Sequence, residues 1–263
     1  MYRPSLPSPT TLAGKRYAPV LFVIAHGSRD PRHAATVQAL VRRAGALRPG
    51  LRVETAFLDF NLPSVTGVLD RLAADGVRDV VALPLLLTRA FHAKADIPAV
   101  LRQAPRSLRI RQAEVLGPSP LLIAAVERRL YEAGLTPGDK SSTGVVLASA
   151  GSTDPEAIAV IAETARELRR TGWCSVRPAF ASASLPRTEE AVRALRTDPG
   201  VRRVAVAPYV IAPGRLPDRI AAGAAEADVL ADVLGPSPEL AALLVERYDG
   251  AVRASERVAA AVG

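Results

Sequence analysis

Three histidines, His26, His33 and His92, stand out in a chain of 263 residues that has no others. His26 directly follows the apolar run Val20 to Ala25, and His92 lies just beyond a second one ending near Leu87. Asp59 sits at the end of the strand that lies between these two in sequence, in Phe57-Leu58-Asp59-Phe60. In an open parallel sheet, ligands bind outside the carboxyl ends of the strands. His26, Asp59 and His92 can therefore converge although they are distant in sequence. Two imidazoles and a carboxylate suit Fe, Co or Ni, and a neutral imidazole also accepts a proton near pH 7. Taken singly, each has a plainer reading: a strand-end histidine as a loop or core residue, a strand-end aspartate as turn chemistry. His33 falls inside the first helix and reads as a solvated helix residue.

Gly27-Ser28 sits between a strand and a helix, where exposed N–H groups attract carboxylate or phosphate. The same pair also reads as a tight turn with Ser28 as helix cap. Neither a Walker A loop nor G-x-G-x-x-G is present, and Ser28 lacks the G-x-S-x-G elbow of a hydrolase nucleophile.

The elements that must position these residues alternate in type. Val20 to Ala25 reads as a buried strand, Pro31 to Leu47 as a helix capped by Ser28 or Asp30, Leu51 to Leu58 as a strand and Ser64 to Ala74 as a helix. Arg78 to Leu87 and Leu108 to Leu116 are further strands, with helices over Asp96 to Gln103 and Pro120 to Ala133. After Leu135 to Thr143, a Pro/Gly/Ser-rich linker, the pattern restarts. Strands then fall at Gly144 to Ala150, Ser175 to Phe180, Val201 to Ile211 and Asp228 to Leu234. The helices between and after them fall at Pro155 to Thr171, Arg187 to Leu195, Leu216 to Ala222 and Pro238 to Tyr248. Such a βαβα order argues for parallel sheets with helices on both faces.

The restart is an internal repeat. His26-Gly27-Ser28-Arg29-Asp30-Pro31 matches Ala150-Gly151-Ser152-Thr153-Asp154-Pro155, an offset of 124 residues. Phe57 with Leu62-Pro63 matches Phe180 with Leu185-Pro186, and Leu-Gly-Pro-Ser-Pro occurs identically from Leu116 and from Leu234. The period is that of a small domain. The expected fold is α/β, with two similar Rossmann-like lobes facing each other across a cleft. Residues 1–18 form a disordered lead-in, 19–134 the first lobe, 135–143 the linker and 144–263 a degenerate second lobe. The second lobe keeps the Gly-Ser-x-Asp-Pro frame but has Ala150 for His26, Ser182 for Asp59, and no histidine near Arg215. A purely structural residue would be expected in both copies, so the one-copy set favours function.

The net charge of +8 is spread along the chain without a block of like charges, and aromatic residues make up 4%. A polyanionic small molecule suits that surplus better than nucleic acid. The single cysteine, Cys174, excludes an intrachain disulfide and a Cys-ligated cluster. With neither a signal-peptide core nor a run of about 18 apolar residues, the expectation is a cytoplasmic protein without membrane or nucleic-acid partners.

These residues together resemble the sirohydrochlorin chelatase family of class II chelatases. The resemblance rests on His26-Gly27-Ser28-Arg29-Asp30-Pro31, on Phe57-Leu58-Asp59-Phe60 with Pro63-Ser64, and on Pro84-Leu85-Leu86-Leu87 leading to His92-Ala93-Lys94-Ala95-Asp96-Ile97-Pro98. It implies a two-lobe chelatase with sirohydrochlorin in the cleft and His26 and His92 at the incoming metal. Asp59 stands where the family often has Glu, and implies a shorter third ligand or an orienting carboxylate. The resemblance implies insertion of Fe2+, with Co2+ a close second, for sirohaem or cobalamin synthesis. No cofactor beyond the substrate metal is expected. One histidine would relay a pyrrole proton. Ser28, Arg29, Arg89, Lys94 and Arg215 are the candidates to meet the eight carboxylates of sirohydrochlorin. A non-catalytic carrier of metal or tetrapyrrole would have the same sequence features.

Overall fold

The computed structural model describes residues 18–89 and 92–262; the side chains of residues 92, 93 and 258–262 lie outside that description. Two four-stranded parallel sheets form the frame. In the first, β1 (Val20–Ala25), β2 (Val53–Phe57), β3 (Asp79–Pro84) and β4 (Arg109–Gln112) are ordered β2-β1-β3-β4. In the second, β5 (Thr143–Ser149), β6 (Ser175–Phe180), β7 (Arg203–Tyr209) and β8 (Val229–Leu230) are ordered β6-β5-β7-β8. All residues of β1 and β5 are buried. Continuous apolar runs are what a strand covered by helices on both faces requires.

The helices are α1 (Pro31–Leu47), α2 (Val65–Ala74), α3 (Ile97–Leu101) and α4 (Pro120–Glu132) in the first half. The second half has α5 (Pro155–Arg170), α6 (Thr188–Arg196), α7 (Arg215–Gly223) and α8 (Pro238–Val262). Asp30 and Asp154 cap α1 and α5 identically, each accepting the N–H two residues on, with proline opening the helix. One face of each sheet has its own core, built on α2 and α3 or on α6 and α7. The opposite faces share a single core running from Leu21 to Tyr248 through residues of both halves.

That shared core follows from an exchange of helices. α4 packs against β7 and α5, whereas α8 packs against α1 and β3. The identical Leu-Gly-Pro-Ser-Pro turns are the joints. Arg247 of α8 donates to the carbonyls of Val115, Leu116 and Pro118 at 2.8, 2.7 and 3.0 Å. Arg129 of α4, its counterpart, donates through two nitrogens to Leu234 at 3.2 and 3.0 Å. Tyr248 reaches the Pro19 carbonyl at 2.8 Å. α8 runs well past Tyr248, where the sequence pattern ends it, because its apolar stripe finds α1 as a partner.

Three further elements differ from expectation. The Pro/Gly/Ser-rich stretch folds as a 3₁₀ turn over Pro137–Ser142, with Leu135 buried and Lys140 paired with Glu127. The Trp173 indole donates to the same Glu127 carboxylate at 3.1 Å, so this stretch is docked. The third strand ends at Pro84, where the Leu86 N–H turns back to the Pro84 carbonyl. The third helix begins as a π-helical turn, His92–Asp96, and continues as the short α3. The expected lead-in falls almost wholly on residues 1–17, outside the described residues. Among the described residues no helix is long and apolar enough to cross a membrane.

Candidate metal and ligand cleft

A cavity of about 1070 Å³ opens between the carboxyl ends of β1 and β3 on one side and β5 and β7 on the other. His26, Gly27, Ser28, Arg29 and His33 border it from the first half; Ser149, Tyr209 and Arg215 border it from the second. This is where parallel sheets place ligands.

The His26 turn is fixed by its backbone. Gly27 has φ +96°, and a Cβ there would lie 1.9 Å from the Asp59 carbonyl oxygen. Only glycine tolerates both conditions. The Asp59 N–H donates to the His26 carbonyl at 2.9 Å, and the Ser28 N–H to the Asn61 side chain at 2.8 Å. The second half repeats this frame: Gly151 has φ +94°, a Cβ there would lie 1.8 Å from the Ser182 carbonyl oxygen, and the Ser182 N–H donates to the Ala150 carbonyl at 3.0 Å. Asn61, which the motif reading passed over, is the side chain that holds the Ser28 amide.

His26 itself is half-buried, its ring 6.3 Å from that of Phe60. Arg29 is exposed on the wall, its guanidinium 5.2 Å from the centre of the same Phe60 ring, within cation–π range. The Ser28 hydroxyl accepts from the Asp30 N–H at 3.1 Å, so it braces the turn, while Asp30 provides the helix cap. Arg32 beside Asp30 holds that carboxyl below its ordinary range.

Other candidates stand differently. Asp59 is exposed and is not among the residues bordering the cavity, although its backbone is bonded to His26. His92 opens the π-helical turn, and its side chain lies outside the described residues. Arg89 is exposed and away from the cavity wall. Lys94 reaches across to the second half, with Nζ 2.9 Å from Asp154 and 2.7 Å from Glu156. A second crossing joins Arg32 to Asp218 at 3.3 Å. Arg215 lies on the wall and exposed. Among the described residues, no three His, Cys, Asp or Glu side chains form a cluster able to hold a metal.

His33 corrects the sequence reading. It is half-buried rather than solvated and borders the cavity, because α1 turns this face toward the cleft. Burial holds its imidazole below the ordinary histidine range, and the charge of His26 adds to this. The second half also contributes polar groups where the first has none. Strand register places Ser149 opposite Tyr209 at the cavity floor; the positions they match in the first half are Ala25 and Leu85. The repeat offset, applied residue by residue, finds all three positions.

A family model described as CbiX matches residues 20–133 and 144–251. Sirohydrochlorin cobaltochelatase from Priestia megaterium is 28% identical over 215 residues, covering 79% of this chain and 69% of that one. Sirohydrochlorin ferrochelatase from Bacillus subtilis (strain 168) is 28% identical over 206 residues, covering 76% and 77%. Among solved structures, SirB from Bacillus subtilis with Fe3+ shares the fold at a TM-score of 0.78, with 24% identity over 90% of this chain and 96% of that one. The matched segments carry both copies of the repeat and the first-half motifs at His26, Asp59 and His92, and the chain belongs to the CbiX family of sirohydrochlorin chelatases.

Proposed function

We propose that this protein inserts a divalent metal into sirohydrochlorin, as the names of its relatives describe for them. The observation that carries the reading is His26, set at the carboxyl end of β1 by a glycine-locked turn and bordering a cavity walled by both halves. Insertion must remove two inner pyrrole protons. His26 and His92 present the metal, and one of them relays a proton as a neutral imidazole. Asp59, bonded through its backbone to His26, completes the metal shell or orients an imidazole from behind. Arg29 and Arg215, exposed on the cavity wall, pair with substrate carboxylates; Ser28 positions the turn beneath them. Arg89 extends that basic rim, and Lys94 joins it when its bridge opens. The metal is substrate, and no other cofactor takes part. Iron is the favoured metal, with cobalt close behind; His/carboxylate donors bind both by similar chemistry, and affinity order alone does not set selectivity. The product serves sirohaem or cobalamin synthesis in the cytoplasm.

The test is anaerobic insertion followed by absorbance, with Fe2+ and Co2+ in separate reactions. The wild-type chain accelerates insertion over the uncatalysed rate and ranks the metals. His26→Ala and His92→Ala each lower kcat by about 100-fold or more while melting normally, as expected when a general acid–base or ligand group is removed. Retained activity in both variants defeats the assignment.

A further inference from the structure

His33 has no part in the insertion scheme above, yet it stands at the cleft. The caps Asp30 and Asp154 fix the repeat register, so position 33 matches Ala157, and both border the cavity. The imidazole is thus another cleft side chain that exists in one copy. Its ring lies 6.4 Å from that of Phe57, tilted by 59°. Nδ1 is buried and meets no hydrogen-bond partner among the described residues. The ring as a whole is half-buried and borders the cavity, which leaves Nε2 as the nitrogen available to a ligand.

This arrangement selects a tautomer. An orphaned buried N–H is rarer in folded proteins than an under-satisfied acceptor. The proton of the neutral ring therefore sits on Nε2, and the bare lone pair of Nδ1 faces the protein. Nε2 is then a donor with no lone pair for a metal. Ligating a metal, or taking up a proton at Nε2, would require an N–H at Nδ1, where no group of the described residues accepts it. Metal ligand and general base are both disfavoured, and a fixed neutral donor remains. On the wall beside it, Arg29 and Arg215 supply charge without a fixed direction.

We propose that His33 is a substrate-positioning residue, whose Nε2–H donates a hydrogen bond to a carboxylate of the tetrapyrrole. The proposal rests on the sirohydrochlorin reading and deepens it. It is tested by equilibrium binding of metal-free sirohydrochlorin to the 263-residue chain, followed by the ligand's own absorbance, and separately by Co2+ binding without tetrapyrrole. Three variants discriminate. His33→Leu removes the donor, His33→Gln restores an N–H near the place of Nε2, and His33→Asn puts it near the place of Nδ1. The Leu and Asn variants bind sirohydrochlorin about tenfold more weakly, as loss of one hydrogen bond to a charged acceptor implies, and Gln stays within about twofold of wild type. Co2+ affinity is the same in all four. Wild-type affinity in His33→Leu overturns the proposal, as does a loss of Co2+ affinity with tetrapyrrole binding intact. Equal weakening in Gln and Leu overturns it too, since a packing role would not distinguish donor from non-donor. Failure of the wild-type chain to bind sirohydrochlorin overturns the functional reading along with it, whereas tight wild-type binding with unaffected variants removes His33 alone.

Discussion

At the scale of single residues, backbone crowding at Gly27 and burial at His33 shape the site. Gly27 lies under the Asp59 carbonyl at positive φ. Replacing it with alanine forces either the turn or the second loop to move, and is expected to cost about 3 kcal/mol or more of stability. Chemical denaturation measures the cost, and a loss below about 0.5 kcal/mol would show that the turn yields easily. His33 sets a dependence on pH. Burial lowers its folded-state pKa below the ordinary 6.5; the charge of His26 acts in the same direction and Asp30 opposes them. The unfolded chain therefore takes up this proton first as the solution is acidified. The stability His33 contributes is intact above about pH 6.5 and is lost as pH falls toward its lowered value. The thermal midpoint should drop between pH 7 and pH 5 in wild type and drop less in His33→Gln. Parallel curves for the two proteins would place the responsible proton elsewhere.

Strands and helices were legible in the sequence wherever the hydrophobic pattern is local. β1, α1 and α5 start where their apolar runs and caps place them, because burial on both faces and an Asp-Pro helix start leave little choice. The elements misjudged are those whose limits depend on distant partners. α8 continues past Tyr248 because α1 covers it, and Pro137–Ser142 is ordered because Glu127 and Trp173 receive it. The same holds in the site. His26 and the glycine turn were visible as a motif, whereas His33 looked like any helix histidine until α1 was oriented. Tyr209 and Ser149 showed no motif, and only their mismatch with Leu85 and Ala25 marked them. At this scale the arginine joints carry a prediction. Arg247→Leu strips three carbonyls of their donor and should lower stability by about 2 kcal/mol. Arg129→Leu should do the same through Leu234. Unfolding of both variants in denaturant should stay a single transition, because the exchanged helices put both halves into one core.

At the scale of the whole molecule, the halves are joined behind the cleft by helix exchange and at its rim by ion pairs. The rim pairs are exposed and add little stability. Their expected influence is on access to the cleft. Lys94→Glu should slow turnover and raise the tetrapyrrole KM several-fold, and adding Glu156→Lys should restore most of both. Failure of the double variant to recover would show that the cation must stand at position 94 itself and that re-forming the bridge is not enough. The rim also sorts its charges by origin. In the pairs that cross the rim among the described residues, the cations Arg32 and Lys94 come from the first half and the acids Asp154, Glu156 and Asp218 from the second, while Arg32 also pairs with Asp30 of its own half at 2.6 Å. Arg32 and Glu156 even occupy the same place in the repeat, two residues after their helix caps. Two first halves brought together in this arrangement would set Lys94 against Arg32 with only Asp30 to offset them, and two second halves would set Glu156 against Asp218 with no cation between them. A duplicated chain in which either half could close on its own kind is open to exchange between neighbouring molecules. The opposite signs work against such like-with-like closure, so a first half recognises a second half and not its twin.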